Sequence, residues 1–125
     1  MNNIICERRI YNFSSDTHTH EYGQLILPLQ GVLSIKTDSK ILDIKDDSLF
    51  FLPPDCKHTF NANNTNEFLV LDIPDKMLNK YDMKKMYGGK EVYKLFNKIP
   101  VTIRKENEGY PDKEFIGYIL FGLNS

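Results

Sequence analysis

No stretch of this chain approaches the ~20 consecutive apolar residues that a membrane-spanning helix requires. The amino terminus, Met1 to Arg9, also lacks a charged segment followed by a long apolar run. Together these absences predict a cytoplasmic protein with no membrane partner. Basic clustering is missing as well. The net charge is −1 and the Lys and Arg residues are scattered, so no basic face is offered to phosphates and the chain by itself is not expected to bind nucleic acid. Only two cysteines occur, Cys6 and Cys56, far apart in the sequence. They are read as reduced small hydrophobes rather than as a disulfide framework. Internal repeats and low-complexity tracts are absent too.

What is present is a 125-residue chain that is 41% hydrophobic and rich in aromatics, enough for one domain with its own core. Segments 4–13, 18–29, 32–37, 40–44, 48–52, 59–62 and 67–73 are short runs of β-branched, Leu and Phe residues separated by turn formers. That rhythm predicts a mainly β sandwich or barrel. Gln30-Gly31, Asp38-Ser39 and Asp46-Asp47 accept tight or left-handed turns, so neighbouring strands are expected to pair as antiparallel hairpins, in a meander or a jelly roll. Pro28 removes a ladder donor and predicts an edge or a bulge in the strand over 18–29. After Pro74 the period changes: Asp75 can cap a helix carrying Met77, Leu78, Tyr81 and Met86, and Gly88-Gly89 would end it. A second short helix is expected over 90–97, a strand over 101–104, and a last helix from Asp112 with an apolar stripe from Phe115 to Leu123. That stripe must bury its face, in the core or in a dimer contact. The expected organisation is a barrel with its arm over 1–74 and a helical extension over 75–125, within one structural domain.

The chain has three histidines, His18, His20 and His58. On one strand, His18, His20 and Gln24 would share a face, with the two imidazoles roughly 7 Å apart. His58 from a neighbouring strand could then close a polar cluster. Imidazole is the commonest metal ligand near neutral pH, so His18, His20, Gln24 and His58 are the candidate ligands of one divalent ion, Zn, Ni, Fe or Mn. The opposing expectation is a metal-free polar pocket hydrogen-bonded to itself and to water. Cys56 beside His58 could be an activated thiolate, although an inert loop cysteine is the simpler reading. The lysines between Lys76 and Lys85 alternate with apolar positions and read as an amphipathic helix rather than a basic patch.

His18-x-His20-x3-Gln24-x6-Gly31 resembles the first cupin motif, with Gln24 where Glu is usual. Pro53-x-Asp55-x2-His58 resembles the second, with Asp55 and Asp47 in glycine positions and Ala62 in place of an Asn. The wording around these motifs, including Phe-Leu-Val-Leu-Asp-Ile-Pro over 68–74, is similar to the effector-binding domain of AraC-type transcription regulators, across about 18–78. The resemblance implies a double-stranded β-helix barrel followed by short α-helices. It further implies a small effector, a sugar or other metabolite, held in the barrel, an N-terminal arm over the pocket, helices that form a homodimer, and a separate helix-turn-helix half not found in these residues. Inward parity and the motifs nominate His18, His20, Tyr22, Gln24, Ile26, Phe50, Leu52, His58 and Phe60 as ligand-binding residues. The alternative is a free-standing metal-binding cupin enzyme of dioxygenase or isomerase type, for which no catalytic residue is nominated: Glu21 has the wrong strand parity and Tyr22 is as easily a packing residue.

Overall fold

The structure, a computed structural model, describes residues 3–12, 17–45, 48–62, 64–80 and 93–96. Nine strands and one helix occur among them: β1 Ile5–Arg9, β2 Thr17–His18, β3 Gly23–Gln30, β4 Leu33–Lys36, β5 Ile41–Ile44, β6 Ser48–Leu52, β7 His58–Asn61, β8 Glu67–Ile73, α1 Asp75–Lys80 and β9 Tyr93–Phe96. A five-stranded sheet has the order β1-β8-β3-β6-β9, and a four-stranded sheet has the order β2-β7-β4-β5. All the pairings are antiparallel. Consecutive strands mostly alternate between sheets, which is the jelly-roll arrangement of the expected cupin-type barrel.

Local hairpins are fewer than the turn residues suggest. Asp38-Ser39 joins β4 to β5 in a true hairpin, closed by the Thr37 amide donating to the Lys40 carbonyl at 2.9 Å. Gln30-Gly31 instead carries the chain from one sheet to the other, and β5 and β6 lie in different sheets. Gly31 sits at φ 79°, and a Cβ there would lie 2.3 Å from the Thr65 carbonyl oxygen, so glycine is demanded by both conformation and space. At Pro28 the β3/β8 register shifts before Gln30. A bulge, rather than an edge, thus absorbs the missing donor, since β3 lies between β8 and β6.

Two expectations are corrected. The single strand over 18–29 is two strands in different sheets, with residues 19–22 crossing between them. Within 90–97, Tyr93–Phe96 is a strand paired with β6 rather than part of a helix. The backbone groups on the outer side of β6 need partners, and a Tyr-Lys-Leu-Phe segment fits a pleated surface. Helix α1 begins at Asp75 as expected. Its continuation through Met86, the strand over 101–104 and the final helix lie outside the described residues.

The barrel interior is apolar. Ile26, Leu33, Ile35, Ile44, Phe50, Leu52, Ala62, Phe68 and Val70 form one buried cluster, with Tyr11, Leu42 and Phe60 packed against it. On the opposite face of the larger sheet, Cys6, Leu25, Leu27, Phe51, Leu69, Leu71 and Ile73 are buried too. Central strands β3 and β8 are therefore apolar on both faces, which hides the period of two in their sequences.

Candidate functional site: the arm-covered barrel mouth

Polar side chains collect where β3 and β8 run side by side. Gln24 on β3 pairs with Leu52 on one side and Asp72 on the other. Both Gln24 and Asp72 are buried. The Gln24 amide Nε2 donates to Asp72 Oδ1 at 2.9 Å. From β1, the Arg9 guanidinium donates to Asp72 at 3.3 and 2.7 Å and to Glu7 at 3.2 and 3.3 Å. Burial opposes the charge of Arg9, but the hydrogen bonds and charge of Asp72, with Glu7 helping, outweigh it and hold its pKa above the ordinary value.

Histidines and aromatics form the other wall. His18 at the end of β2, His20 in the crossing segment and Tyr22 make a run of nearly parallel rings. His18 and His20 are 6.0 Å apart at 10°, and His20 and Tyr22 are 4.8 Å apart at 16°. His58 on β7 pairs across from His18, with its ring 6.2 Å from that of His18 and 5.2 Å from that of His20. A turn positions it: Asp55 at φ 65° donates its amide to the His20 carbonyl at 2.7 Å, tying the two motifs together. Nδ1 of His58 donates to the Cys56 carbonyl at 2.8 Å, because a carbonyl can only accept. Nε2 of the neutral ring is therefore an acceptor, and that atom is buried without a partner in the protein. The same is true of Gln24 Oε1. Burial lowers the pKa of His58, with the Cys56 hydrogen bond pulling the other way. Burial also lowers His20, against the pull of Asp72.

The third wall is the segment that follows β1. Tyr11 donates its amide to Asn66 Oδ1 at 2.9 Å, and Asn66 Nδ2 donates back to the Tyr11 carbonyl at 2.8 Å. The Tyr11 ring meets Phe60 at 4.9 Å and Phe68 at 5.8 Å. Burial pushes the Tyr11 phenol up to about 12. Between arm and barrel lies a cavity of ≈ 380 Å³. Its walls come from Arg9, Ile10, Tyr11 and Asn12 of the arm, from His18, His20, Tyr22 and Gln24, and from Phe60.

The nominated residues therefore converge in part. His18, His20, Tyr22, Gln24 and Phe60 line the cavity. His58 stands behind them within ring contact of His20 and Phe60, while Ile26, Phe50 and Leu52 belong to the buried apolar cluster beneath. Sequence reasoning missed Arg9, Tyr11, Asn66 and Asp72. A carboxylate inside Phe-Leu-Val-Leu-Asp-Ile was a usable signal, since a charge within a doubly buried strand needs a partner. For the ion envisaged between His18, His20, Gln24 and His58, the ring placement matters: among the described residues no three His, Cys, Asp or Glu side chains are set to hold a metal. Cys6 and Cys56 are both buried, and neither is in a disulfide among the described residues.

Comparison with known proteins agrees with this architecture. The family described as AraC-like ligand binding domain matches residues 4–81. The HTH-type transcriptional regulator YobQ of Bacillus subtilis (strain 168) is 38% identical over 71 residues, covering 57% of this chain and 30% of that protein. The match thus spans less than a third of the relative's length. Among solved structures, apo ToxT from Vibrio cholerae strain SCE256 superposes with a TM-score of 0.60 at 11% identity, over 98% of this chain and 54% of that one. A cupin-2 domain containing protein from Shewanella frigidimarina NCIMB 400 gives 0.53 at 14% identity, over 58% and 72%. At such identities the structural likenesses speak for the fold. The family match covers more than half of the chain, and this jelly-roll barrel with its arm-covered pocket belongs to the AraC-like ligand binding domains.

Proposed function

We propose that the chain is the sensing part of an AraC-type transcription regulator, in which a small metabolite, a sugar or another compound of similar size, binds between arm and barrel. One observation carries this reading beyond family membership. The ≈ 380 Å³ cavity is walled on one side by a segment tied down through Asn66, so occupancy and arm position are physically linked. A ligand that favours one arm placement shifts its population by its differential affinity for the two. Transmission to a DNA-binding partner domain, homodimerisation and a cytoplasmic setting belong to the same proposal.

The test is a metabolite screen by thermal shift on the whole chain, followed by calorimetric titration of hits against wild type and Tyr22→Ala. A hit at 100-fold excess over its Kd should stabilise wild type by about 2.7 kcal/mol and lose affinity in the variant. Elemental analysis of wild type and His20→Ala runs alongside. A stoichiometric ion in wild type that is lost in the variant, with no metabolite bound, would turn the reading toward a metal-dependent cupin enzyme.

A further inference from the structure

Among the described residues that line the arm-covered cavity, Arg9 is the one Arg, Lys, Asp or Glu. The carboxylates that answer its charge, Asp72 and Glu7, are not in the lining. Their hold on it is uneven. Asp72 takes one short hydrogen bond from Arg9, at 2.7 Å, whereas the other three, one to Asp72 and two to Glu7, span 3.2–3.3 Å. Well-made bonds between a guanidinium and a carboxylate run at about 2.7–2.9 Å. The Glu7 side chain is 55% exposed, and water weakens an exposed pair further. A carboxylate entering the cavity therefore competes with long contacts for a guanidinium that has five N–H donors.

The neighbouring rings show where such an anion would sit. At His20 and Tyr22, after burial, the charge of Asp72 is felt more than that of Arg9. At Tyr11 the order reverses. Burial raises that phenol, and Arg9 pulls it back by charge and by hydrogen bonding more than Asp72 pushes it up. With its pKa still at about 12, the Tyr11 hydroxyl keeps its proton and can donate it. The positive end of the cavity is thus at the arm, while Tyr22 and Phe60 supply aromatic surface opposite.

We propose that the cavity takes a small carboxylate on a flat or apolar body, its oxygens at the Arg9 guanidinium and the Tyr11 hydroxyl and its body against Phe60 and Tyr22. Both polar contacts come from the arm, so the ligand fastens the arm as well as filling the space beneath it. This inference names the class of the effector proposed above and rests on that reading.

The experiment uses four probes of nearly one shape, benzoate, benzamide, benzyl alcohol and benzylamine, titrated at slightly alkaline pH into the isotope-labelled full chain and followed by NMR. Benzoate is expected to move the Arg9 Nε–H signal and the Tyr11, Tyr22 and Phe60 ring signals saturably. Benzamide and benzyl alcohol should bind about tenfold more weakly and benzylamine more weakly still, since charge-assisted hydrogen bonds are about twice as strong as neutral ones. Tyr11→Phe keeps the ring packing on Phe60 and Phe68 and should weaken benzoate about fivefold through the lost hydroxyl. Glu7→Gln removes the exposed competitor for Arg9 and should tighten benzoate about threefold. Arg9→Gln should weaken it tenfold or more, and the signs of the other two variants stand even if this one fails to fold. If a neutral probe or benzylamine binds in the cavity as tightly as benzoate, or if Glu7→Gln does not tighten benzoate, the carboxylate inference falls and the effector reading stands. If none of the four moves these signals, the inference falls as well, and the effector reading falls with it only where the metabolite screen is also blank.

Discussion

Asp72 is the residue on which the polar site turns. It accepts from Gln24 and from Arg9 while nearly buried in the middle of the larger sheet. Asp72→Ala would leave the part-buried Arg9 guanidinium with the exposed Glu7 alone and would strip Gln24 Nε2 of its partner. We expect a loss of about 3 kcal/mol, the lower end for a broken buried pair because Arg9 is partly open to solvent. Asp72→Asn keeps an oxygen for Gln24 and should lose clearly less; urea denaturation of the two variants checks the difference. The histidines give a second prediction. His20 and His58 have folded pKa values below the ordinary 6.5, chiefly through burial. The unfolded chain therefore binds protons more readily than the folded one in that window. Stability should be at its full value above about pH 6.5 and fall as pH drops from there toward the lowered folded values. A His58→Gln variant should flatten the slope, measured as unfolding free energy against pH.

At the scale of elements, the arm and the crossing turns decide the geometry. The two hydrogen bonds between Asn66 and the Tyr11 backbone hold the arm as one wall of the pocket. Asn66→Ala should raise amide exchange at Tyr11 at least tenfold and lower global stability by about 1–2 kcal/mol, since these bonds clamp an end of the arm rather than the core. Gly31 fixes the neighbouring loop. Gly31→Ala would place a methyl against the Thr65 carbonyl and against Asn66 itself, so a loss of about 2 kcal/mol should come with the same loosening of Tyr11, read by the same exchange measurement. The positions of most strands and the start of α1 were legible in the sequence, because apolar runs ending in Asp, Gly or Pro mark boundaries locally; the lengths of the strands expected over 4–13 and 18–29 were not. The partnering was not. Nothing local distinguishes a turn that closes a hairpin, as Asp38-Ser39 does, from one that carries the chain between sheets, as Gln30-Gly31 does. The strand at Tyr93–Phe96 answers a need of β6, a demand that its own residues do not display.

For the molecule as a whole, stability should reside in the apolar cluster beneath the pocket rather than in the polar mouth. Phe50 is fully buried within it, and Phe50→Ala should lose about 3–5 kcal/mol, against a much smaller change for Tyr22→Ala at the half-open mouth. Chemical denaturation ranks the two. The sequence by itself determined the β character, the barrel class and five of the residues that line the cavity, because alternating apolar runs and paired His motifs are local patterns. Tertiary structure alone decided that β1 lies on β8 and brings Arg9 to Asp72, that Asn66 holds Tyr11 over the cavity, and that His18 and Gln24 line one cavity from different sheets. Those contacts join residues far apart in the chain. Burial drives them, since an apolar face is satisfied by any apolar cover, and which charge meets which partner follows only once the strands have chosen their neighbours.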